Sequence, residues 1–437
     1  MAPIREELED WLRIPSVSTG GGDAEALDRA CDWVIERIER AGGSAERVSV
    51  NGSHPMAVGE LRASAPGAPT VLSYGHYDVQ DPGPLDLWES PPFEPTERDG
   101  RLYARGAADD KGNFLPLLHV ACELAGAGEL PVNVRFLVEG EEEVGSDAVM
   151  RHLRDQPPEV DCAIVFDSLM ADERTPAINT GARGLVQGPV EVRTGRRDLH
   201  SGLYGGAVLN ATHVLMQVLR EVLPDAGGRV REELRAGTAS PGDAERESWS
   251  RLPSGEEMLA EAGAVEVMAG AAGEFWERTG AEPAVDVNML TAGEPRTVIP
   301  SIARAQLSVR LAPGQIAAEI AAEAERLLRA ALPDGAELSV ELDLSDPALF
   351  DASEPALQLA AGAFERACGV PPAFVRLGGT LPLLAILAEQ GVPTIVSGFA
   401  LGADAFHAPN ESYRLESLRM GELTARELYR ALADLPR

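Results

Sequence analysis

The sequence predicts an α/β protein in which a mostly parallel sheet is sandwiched by helices, with a second, inserted α+β domain. Three short apolar or β-rich segments, Thr70–Tyr74, Val132–Val138 and Cys162–Phe166, alternate with segments of helical spacing. This alternation is typical of parallel strands covered by helices. The alternation is interrupted after Gly184 and resumes near Asp351. A chain of 437 residues is also longer than a domain with a single hydrophobic core usually is. Two domains are therefore expected.

The outer parts of the chain form the predicted catalytic domain, residues 1–184 and 348–437. Its first helices are expected at Phe114–Ala127 and Asp147–Arg154, between the apolar strands. After the interruption, a helix at Pro355–Cys368 and a strand at Thr394–Val396 continue the same pattern. The predicted sheet thus takes strands from both ends of the sequence.

The predicted inserted domain spans residues 185–347. Strands at Leu185–Arg193, Gln306–Leu311 and Glu337–Leu344 alternate with helices at Val208–Leu223 and Ile316–Leu332. This order favours one sheet packed on two helices. Residues 224–284 are rich in Gly, Ala, Glu and Ser and are interpreted as a loop-helix region whose role the sequence does not define.

Composition excludes several classes of function. The formal net charge of −32, from 38 basic and 70 acidic residues, argues against nucleic-acid binding. No apolar run is long enough to span a bilayer, and the acidic, amphipathic N-terminus is unlike a signal peptide. The four cysteines form no C-x-x-C pair and fit a reducing compartment. We therefore expect a cytoplasmic protein without nucleic-acid or membrane partners.

Imidazole and carboxylate side chains follow the three apolar strands directly. His76 and Asp78 follow the first, Glu139–Glu143 the second and Asp167 the third. Sites in open α/β sheets form at the carboxyl ends of the strands, so these residues are expected to converge. Taken singly, the histidine segment also fits a solvated turn and the glutamates a solvated helix start.

Two further segments supply candidates. The Asp109–Asp110 pair lies among small residues before a predicted helix and fits either an N-terminal cap or a metal ligand. The only lysine of the chain, Lys111, follows the pair and favours the second interpretation slightly. His407 is a second candidate imidazole. Two imidazoles with several carboxylates suit two zinc ions, or manganese or cobalt.

Taken together, these motifs resemble metallopeptidase family M20, whose members include carnosinase-like dipeptidases, aminoacylases, carboxypeptidase G2 and succinyl-diaminopimelate desuccinylases. The matching segments cover nearly the whole chain in order: HYD at 76–78, RGAADDKG at 105–112, EGEEEVGS at 139–146, then Asp167 and His407. The doubled aspartate, DLHSGLYGG at 198–206 and RTVIP at 296–300 are similar to the carnosinase-like and cytosolic non-specific dipeptidases.

The resemblance implies two divalent metal ions that share Asp109 as a bridging ligand. His76 and Asp167 would complete one ligand set, and Glu143 and His407 the other. It also implies a cis peptide bond after Asp109. Zinc is the expected metal, with manganese or cobalt as alternatives.

The resemblance also assigns catalytic roles to three residues. Asp78 would orient His76, and Glu142 would be the general base that activates a metal-bridged water for attack on an amide carbon. His200, in the inserted domain, would donate to the carbonyl oxygen in the active site of a partner subunit. A homodimer formed through a lid and dimerisation domain is therefore expected.

Substrate binding is expected to involve Arg310, Gly379, Thr380 and, more weakly, Thr297, because relatives hold a substrate carboxylate with an arginine and a Gly-Gly-Ser/Thr turn. The expected activity is hydrolysis of dipeptides or similar small peptide-like substrates. Leu377 replaces an acidic residue that dipeptidase relatives often carry. An N-acyl- or N-carbamoyl-amino-acid amidohydrolase therefore stays open, as do a non-catalytic peptide-binding homologue and a hydrolase with fewer than two metals.

Overall fold

The computed structural model describes residues 2–436, so Met1 and Arg437, the outer ends of the predicted catalytic domain, lie outside the described residues. In this part of the chain, no helix is long and apolar enough to cross a lipid bilayer.

The strands are β1 (Ser44–Val48), β2 (Met56–Leu61), β3 (Thr70–His76), β4 (Thr96–Arg98), β5 (Arg101–Tyr103), β6 (Asn133–Glu139), β7 (Cys162–Phe166), β8 (Ala177–Ala182), β9 (Gly184–Arg193), β10 (Leu199–His200), β11 (Ala284–Ala292), β12 (Val298–Ile299), β13 (Ile302–Leu311), β14 (Glu337–Val340), β15 (Asp343–Ser345), β16 (Ala348–Leu349), β17 (Ala373–Leu377), β18 (Thr394–Ser397) and β19 (Ser412–Arg414).

The α-helices are α1 (Ala2–Leu12), α2 (Ala24–Arg40), α3 (Lys111–Ala127), α4 (Asp147–Asp155), α5 (Ser201–Tyr204), α6 (Ala211–Leu219), α7 (Asp243–Trp249), α8 (Gly255–Ala262), α9 (Phe275–Gly280), α10 (Ala317–Ala330), α11 (Pro355–Cys368), α12 (Pro382–Glu389) and α13 (Leu415–Leu432). Short 3-10 turns at Thr19–Gly21, Leu85–Leu87, Glu142–Val144, Glu232–Arg235, Ala271–Glu274 and Gly402–Asp404 complete the elements.

The main sheet has the strand order β1-β2-β6-β3-β7-β18-β8-β16, with β17 also paired to β8. Its centre is parallel, because β3 pairs in parallel with β6 and β7, and β18 pairs in parallel with β7. Every residue of Cys162–Phe166 is buried, as expected for a strand covered on both faces. The predicted α/β class with a mostly parallel sheet is confirmed.

Helices cover this sheet and supply the rest of its core. Helix α3 is buried along most of its length, since it packs on the sheet and contacts α1 and α13. Helix α11 packs on α13, and α12 contacts α4. The strands at 70–74, 132–138 and 162–166 were predicted close to their observed bounds, and β6-β3-β7 are direct neighbours.

The second large sheet is antiparallel and lies between residues 184 and 345, with the order β11-β13-β9-β14 and with β15 also paired to β9. Buried and less buried residues alternate along Ile302–Leu311, so one face is apolar. Helices α6 and α10 contact β9 and each other, and they share an apolar core with the sheet. Helix α6 is shorter than predicted, since it begins after the Asn210 cap and ends at Leu219.

The two sheets are joined by two segments that run side by side. Ala182 pairs with Ala348 at the edge of the main sheet, and Leu185 pairs with Ser345 in the antiparallel sheet. The chain thus enters and leaves the antiparallel sheet at adjacent points.

Residues 243–281 pack against the edge of the main sheet. Trp249 lies in a small apolar cluster with Ala373 and Val375 of β17, and its indole N–H donates to the Phe374 carbonyl at 3.0 Å. The Ser248 hydroxyl accepts from the Phe374 N–H at 2.7 Å. Part of the segment that the sequence left undefined thus covers an edge strand, which protects unpaired backbone groups.

Candidate active site

Three neighbouring parallel strands carry candidate ligands to one edge of the main sheet. His76 ends β3, Asp167 follows β7, and Glu142 and Glu143 form a short turn after β6. His76 is fully buried, and its Nε2 lies 3.1 Å from Asp109 Oδ1 and 4.0 Å from Asp167 Oδ2. The structure brings these residues together as the strand-end rule predicts.

Asp109 lies between two imidazoles. Its Oδ1 faces His76, and its Oδ2 lies 2.9 Å from Nε2 of His407. The same His407 nitrogen lies 3.2 Å from Glu143 Oε2. The peptide bond between Asp109 and Asp110 is cis, as the resemblance implies.

Two groups of potential metal ligands share this aspartate. His76, Asp109 and Asp167 each offer one atom to the first group, and Asp109, Glu143 and His407 to the second. Within each group these atoms lie within 4.8 Å of one another. The five residues are those expected as ligands, in the expected grouping.

Asp78 acts mainly on the turn that carries the two glutamates. Its carboxylate accepts from the backbone N–H groups of Glu142 at 3.2 Å and Glu143 at 3.1 Å, and from the Ser18 hydroxyl at 2.6 Å. Nδ1 of His76 is 3.0 Å from the Asp78 carbonyl oxygen and 3.4 Å from its carboxylate. The expected orienting contact to His76 therefore comes chiefly from the Asp78 backbone.

Glu411 organises the loop that carries Asp109. This fully buried carboxylate accepts from the backbone N–H groups of Gly106, Ala108 and Asp109 at 2.9, 2.8 and 3.1 Å, and from the Arg105 guanidinium at 2.7 Å. Sequence reasoning assigned it no role, although it lies in the same short segment as His407. The charged pair with Arg105 spans 306 positions and has no local sequence signal.

Lys111 contributes to packing, away from the candidate ligands. Its ammonium donates to the carbonyl oxygens of Trp11 and Ile14 at 3.1 and 2.9 Å, and it is fully buried. It therefore satisfies carbonyl groups near the end of α1. The lysine thus has a structural role here, and the metal-ligand interpretation of Asp109 rests on the place of Asp109 in both ligand groups.

The buried carboxylates of the cluster repel one another, so added positive charge would stabilise their ionised forms. Burial raises the pKa of Asp167 to about 7, and the nearby Asp109 and Glu143 carboxylates add to this effect while His76 opposes it. Burial likewise raises the pKa of Glu142 well above its usual value. Hydrogen bonds to Asp109 and Glu143 raise the pKa of His407 to about 10.

One buried atom points directly to missing partners. Oδ2 of Asp167 is buried and has no hydrogen-bond partner. Its nearest imidazole atom, Nε2 of His76, is 4.0 Å away, which is too far for a hydrogen bond. Buried polar atoms without partners are uncommon, and a cation would satisfy this one. The set of imidazole nitrogens and carboxylate oxygens thus fits divalent metal ions.

A cavity of about 370 Å³ opens beside the ligand groups. Its lining is formed by Ala108, Asp109, Asn113, Glu142, Asp167, Ser168, Leu169, Leu377, Gly379, Thr380, Leu381, Ala400, Phe406 and His407. The predicted substrate-binding residues Gly379 and Thr380 are therefore next to the candidate metal ligands. A third predicted residue, Arg310, reaches the same place, since it donates to the Thr380 hydroxyl at 2.9 Å.

Two predicted residues lie apart from both the ligand groups and the cavity. His200 is exposed at the end of β10, where its Nδ1 accepts from the Gly202 N–H at 3.0 Å. Thr297 is also exposed, and its carbonyl oxygen accepts from the hydroxyl of Ser201 at 2.9 Å. Within one subunit, the structure does not bring these residues to the ligand groups.

The chain is similar to known peptidases in sequence and in fold. Residues 72–431 match the model of peptidase family M20/M25/M40. The chain is 28% identical over 399 residues to a cysteinylglycine-S-conjugate dipeptidase of Corynebacterium striatum, covering 89% of this chain and 86% of that protein. It is 33% identical over 242 residues to the beta-Ala-His dipeptidase of Mus musculus, covering 52% of this chain and 49% of that protein. The solved structure of the di-peptidase Dug1p from Saccharomyces cerevisiae has the same fold, with a TM-score of 0.82 at 22% identity, covering 100% of this chain and 97% of that one.

Proposed function

The chain belongs to peptidase family M20/M25/M40, and we propose that it is a two-metal enzyme that hydrolyses the amide bond of dipeptides or similar small substrates. One observation carries this proposal: two groups of metal-ligand atoms share Asp109, and Glu142 lines the cavity beside them. Relatives named as dipeptidases of cysteinylglycine conjugates and of beta-Ala-His support the substrate class.

We assign one metal ion to His76, Asp109 and Asp167 and a second to Asp109, Glu143 and His407. The nitrogen and oxygen donors favour zinc, with manganese or cobalt as alternatives. Support comes from the shared aspartate and from the unpartnered buried oxygen of Asp167. Bound ions would polarise the substrate carbonyl and lower the pKa of a bound water.

Glu142 is the proposed general base and acid. Its backbone N–H donates to the Asp78 carboxylate, which fixes the turn, and Glu142 lines the cavity from this turn. In the proposed cycle the Glu142 carboxylate accepts a proton from the attacking water. It then delivers that proton to the nitrogen of the leaving amine as the amide bond breaks.

Arg310 and Thr380 are the proposed site for the substrate carboxylate. The Arg310 guanidinium already contacts the Thr380 hydroxyl. A second guanidinium is close, because Nε of Arg183 donates to the Gly378 carbonyl oxygen at 3.0 Å. Burial and then the charge of Arg310 lower the pKa of Arg183 to about 10. Two neighbouring guanidinium groups attract an anion, and Gly379 leaves room beside them. Thr297 is a weaker candidate for the same task.

A homodimer formed through the inserted domain is the proposed assembly, with His200 completing the partner's site. Exposed apolar side chains support such a surface on this domain. They are Leu203, Tyr204, Val208, Leu209, Met216, Met289 and Leu290. Met289 and Leu290 lie on β11, which is an edge strand of its sheet and has free backbone groups for pairing. Residues 185–347 would thus serve as lid and dimerisation domain, and residues 1–184 with 348–437 as catalytic domain.

We propose the cytoplasm as the site of action. The four cysteines, Cys31, Cys122, Cys162 and Cys368, are all free thiols in the structure. Unpaired cysteines are typical of a reducing compartment.

An N-acyl- or N-carbamoyl-amino-acid amidohydrolase is the second candidate function. The observation that favours it is Leu377, which lines the cavity where a carboxylate could meet a free amino group. A non-catalytic peptide-binding homologue is disfavoured, because Glu142 is present and faces the cavity.

The test is hydrolysis by protein of known metal content. Metal-stripped protein is reloaded with zinc, manganese or cobalt, its metal content is measured by elemental analysis, and it is assayed with free and N-acylated dipeptides. The proposal expects two ions per subunit and release of free amino acids. Protein that holds two ions and hydrolyses no amide in this panel would contradict it.

A further inference from the structure

We propose that the cavity selects substrates with an apolar side chain next to the scissile amide. This inference rests on the proposed amide hydrolysis and names a property of the substrate that the proposal leaves open. It is carried by the apolar side chains that line the cavity together with the candidate metal ligands.

Five of these side chains are called the apolar wall here. They are Leu169, Leu377, Leu381, Ala400 and Phe406. They come from separate parts of the chain, and the backbone holds several of them in place. Leu169 and Ala400 form a parallel bridge, and the Leu377 carbonyl accepts from the Arg183 N–H at 3.0 Å. The apolar surface is therefore present before a substrate arrives.

The polar groups beside this wall already have partners. The side chain of Asn113 bonds to Phe399 N–H at 2.8 Å and to the Ser168 carbonyl at 3.3 Å. The Ser168 hydroxyl accepts from Asn179 at 3.0 Å. The Thr380 hydroxyl donates to the Arg183 carbonyl at 2.7 Å.

The carboxylates in the lining belong to the ligand sets or to the proposed base. Asp109, Glu142 and Asp167 lie at the metal edge of the cavity. A polar substrate side chain placed on the apolar wall would lose its hydrogen bonds to water without gaining hydrogen bonds to the protein, which is unfavourable. An apolar side chain would instead gain from leaving water. The wall thus discriminates by polarity as well as by size.

The volume of the cavity sets the scale of the substrate. About 370 Å³ is near the lower end of the range for ligand cavities. It suits a small amide with one medium side chain near the wall. We infer a substrate that combines one carboxylate with an aliphatic side chain.

Isosteric substrates test the inference, since leucine and asparagine have nearly the same shape. The zinc-loaded enzyme is assayed with leucyl-glycine against asparaginyl-glycine, and with glycyl-leucine against glycyl-asparagine. In at least one pair, kcat/KM for the leucine peptide should exceed that for the asparagine peptide by about tenfold or more. In the same position, each methylene added from alanine to norleucine should raise kcat/KM about fourfold.

A matched pair of variants links the preference to the wall. Leu377→Asn keeps the shape of the side chain and should lower the leucine-to-asparagine ratio about tenfold. Leu423→Asn changes an exposed leucine on α13, outside the cavity, and should leave the ratio as in the wild type.

The outcomes separate this inference from the proposed function. Hydrolysis of all four peptides with ratios near one in both pairs would overturn the inference and leave the proposed function standing. A wild-type preference that Leu377→Asn and Leu423→Asn alter equally would also overturn it. Hydrolysis of none of the four peptides and of none of the N-acylated dipeptides by protein that holds both metals would overturn the proposed function and the inference with it.

Discussion

The carboxylate of Glu411 accepts a hydrogen bond from the backbone N–H of Asp109 at 3.1 Å. Through this bond, the segment that carries His407 fixes the loop that carries the aspartate shared by both ligand groups. Both carboxylate oxygens of Glu411 accept from backbone N–H groups. The side chain at position 411 must therefore offer two acceptor oxygens.

Glu411→Gln should therefore weaken metal binding. The glutamine amide has only one acceptor oxygen, so its NH₂ group would face at least one backbone N–H of Gly106, Ala108 or Asp109. Two donors cannot bond to each other, so the loop that carries Asp109 must shift. Loss of a group that positions ligands commonly reduces metal affinity by about 10–100-fold. Calorimetric titration of metal-stripped protein with zinc measures the effect. Glu416→Gln, on an exposed pair with Arg419, is the control and should bind zinc as the wild type does.

Glu142→Gln should lower kcat by about 10²–10⁴-fold while metal content stays unchanged. The amide cannot accept the proton of the attacking water, and general base catalysis is worth about 10²–10⁴-fold in rate. Single-substrate kinetics and elemental analysis of the same sample measure both quantities. Glu143→Gln is the matched neighbour and should lose metal, since Glu143 contacts His407. Normal kcat in Glu142→Gln would rule out the assigned role.

Asp109→Asn and Asp167→Asn should differ in metal content. Asp109 belongs to both ligand groups, whereas Asp167 belongs to one. We expect Asp109→Asn to lose both ions and Asp167→Asn to keep one. Elemental analysis after dialysis against metal-free buffer gives the count. Equal loss in the two variants would contradict a bridging role for Asp109.

Mixing two inactive variants should restore activity if His200 serves the partner's site. In a dimer of His200→Ala with Glu142→Ala, one of the two sites has both groups, so about a quarter of wild-type activity is expected after exchange. Adding Met289→Lys to both variants places charge on the exposed edge strand and should prevent recovery. Sedimentation velocity checks that this addition yields monomers. No recovery from mixed dimers would contradict the shared site.

Stability should fall in acid through the ion pair between Glu245 and Arg376. Burial opposes ionisation of Glu245, yet the hydrogen bonds from Arg376 and other groups outweigh it and lower the pKa of Glu245 below its usual 4.5. A lowered folded-state pKa gives stability that is present above pH 4.5 and is lost as the pH falls through the folded-state value. Urea unfolding across this range should therefore show a steeper loss in the wild type than in Glu245→Gln.

The same variant should be destabilised at neutral pH. Arg376 has only 2% of its side chain exposed, and removing one partner of a buried pair commonly costs about 3–5 kcal/mol. The carbonyl oxygens of Ala239 and Ser240 still accept from Arg376, so the lower end is expected. Glu323→Gln, on an exposed pair with Arg326, is the control and should change stability little.

The sequence predicted the parts of the site that follow strands. His76 and Asp167 directly follow apolar segments, so the strand-end rule is enough to predict that they lie close together. His407 has no such signal: it lies in a loop with a positive φ of 60°, where no periodicity applies. Its place beside Asp109 was predicted only by resemblance to a family.

Long-range contacts account for what sequence reasoning missed or misread. The carboxylate of Glu411 binds a loop that is about 300 positions earlier in the chain. Lys111 binds the end of α1 about 100 positions away and not the neighbouring metal edge. The Trp249 indole supports β17, although the composition of residues 224–284 indicated only loops and short helices. None of these contacts has a local pattern.

The paired crossings at Ala182–Ala348 and Leu185–Ser345 have a consequence for how such a chain can be assembled. Partners in an antiparallel pair lie only about 5 Å apart, so the whole stretch between them leaves and rejoins the main sheet at one place. A segment whose ends are neighbours can be lengthened, replaced or removed without separating the strands on either side. The residues at the strand ends and the stretch between the crossings can therefore change independently in evolution.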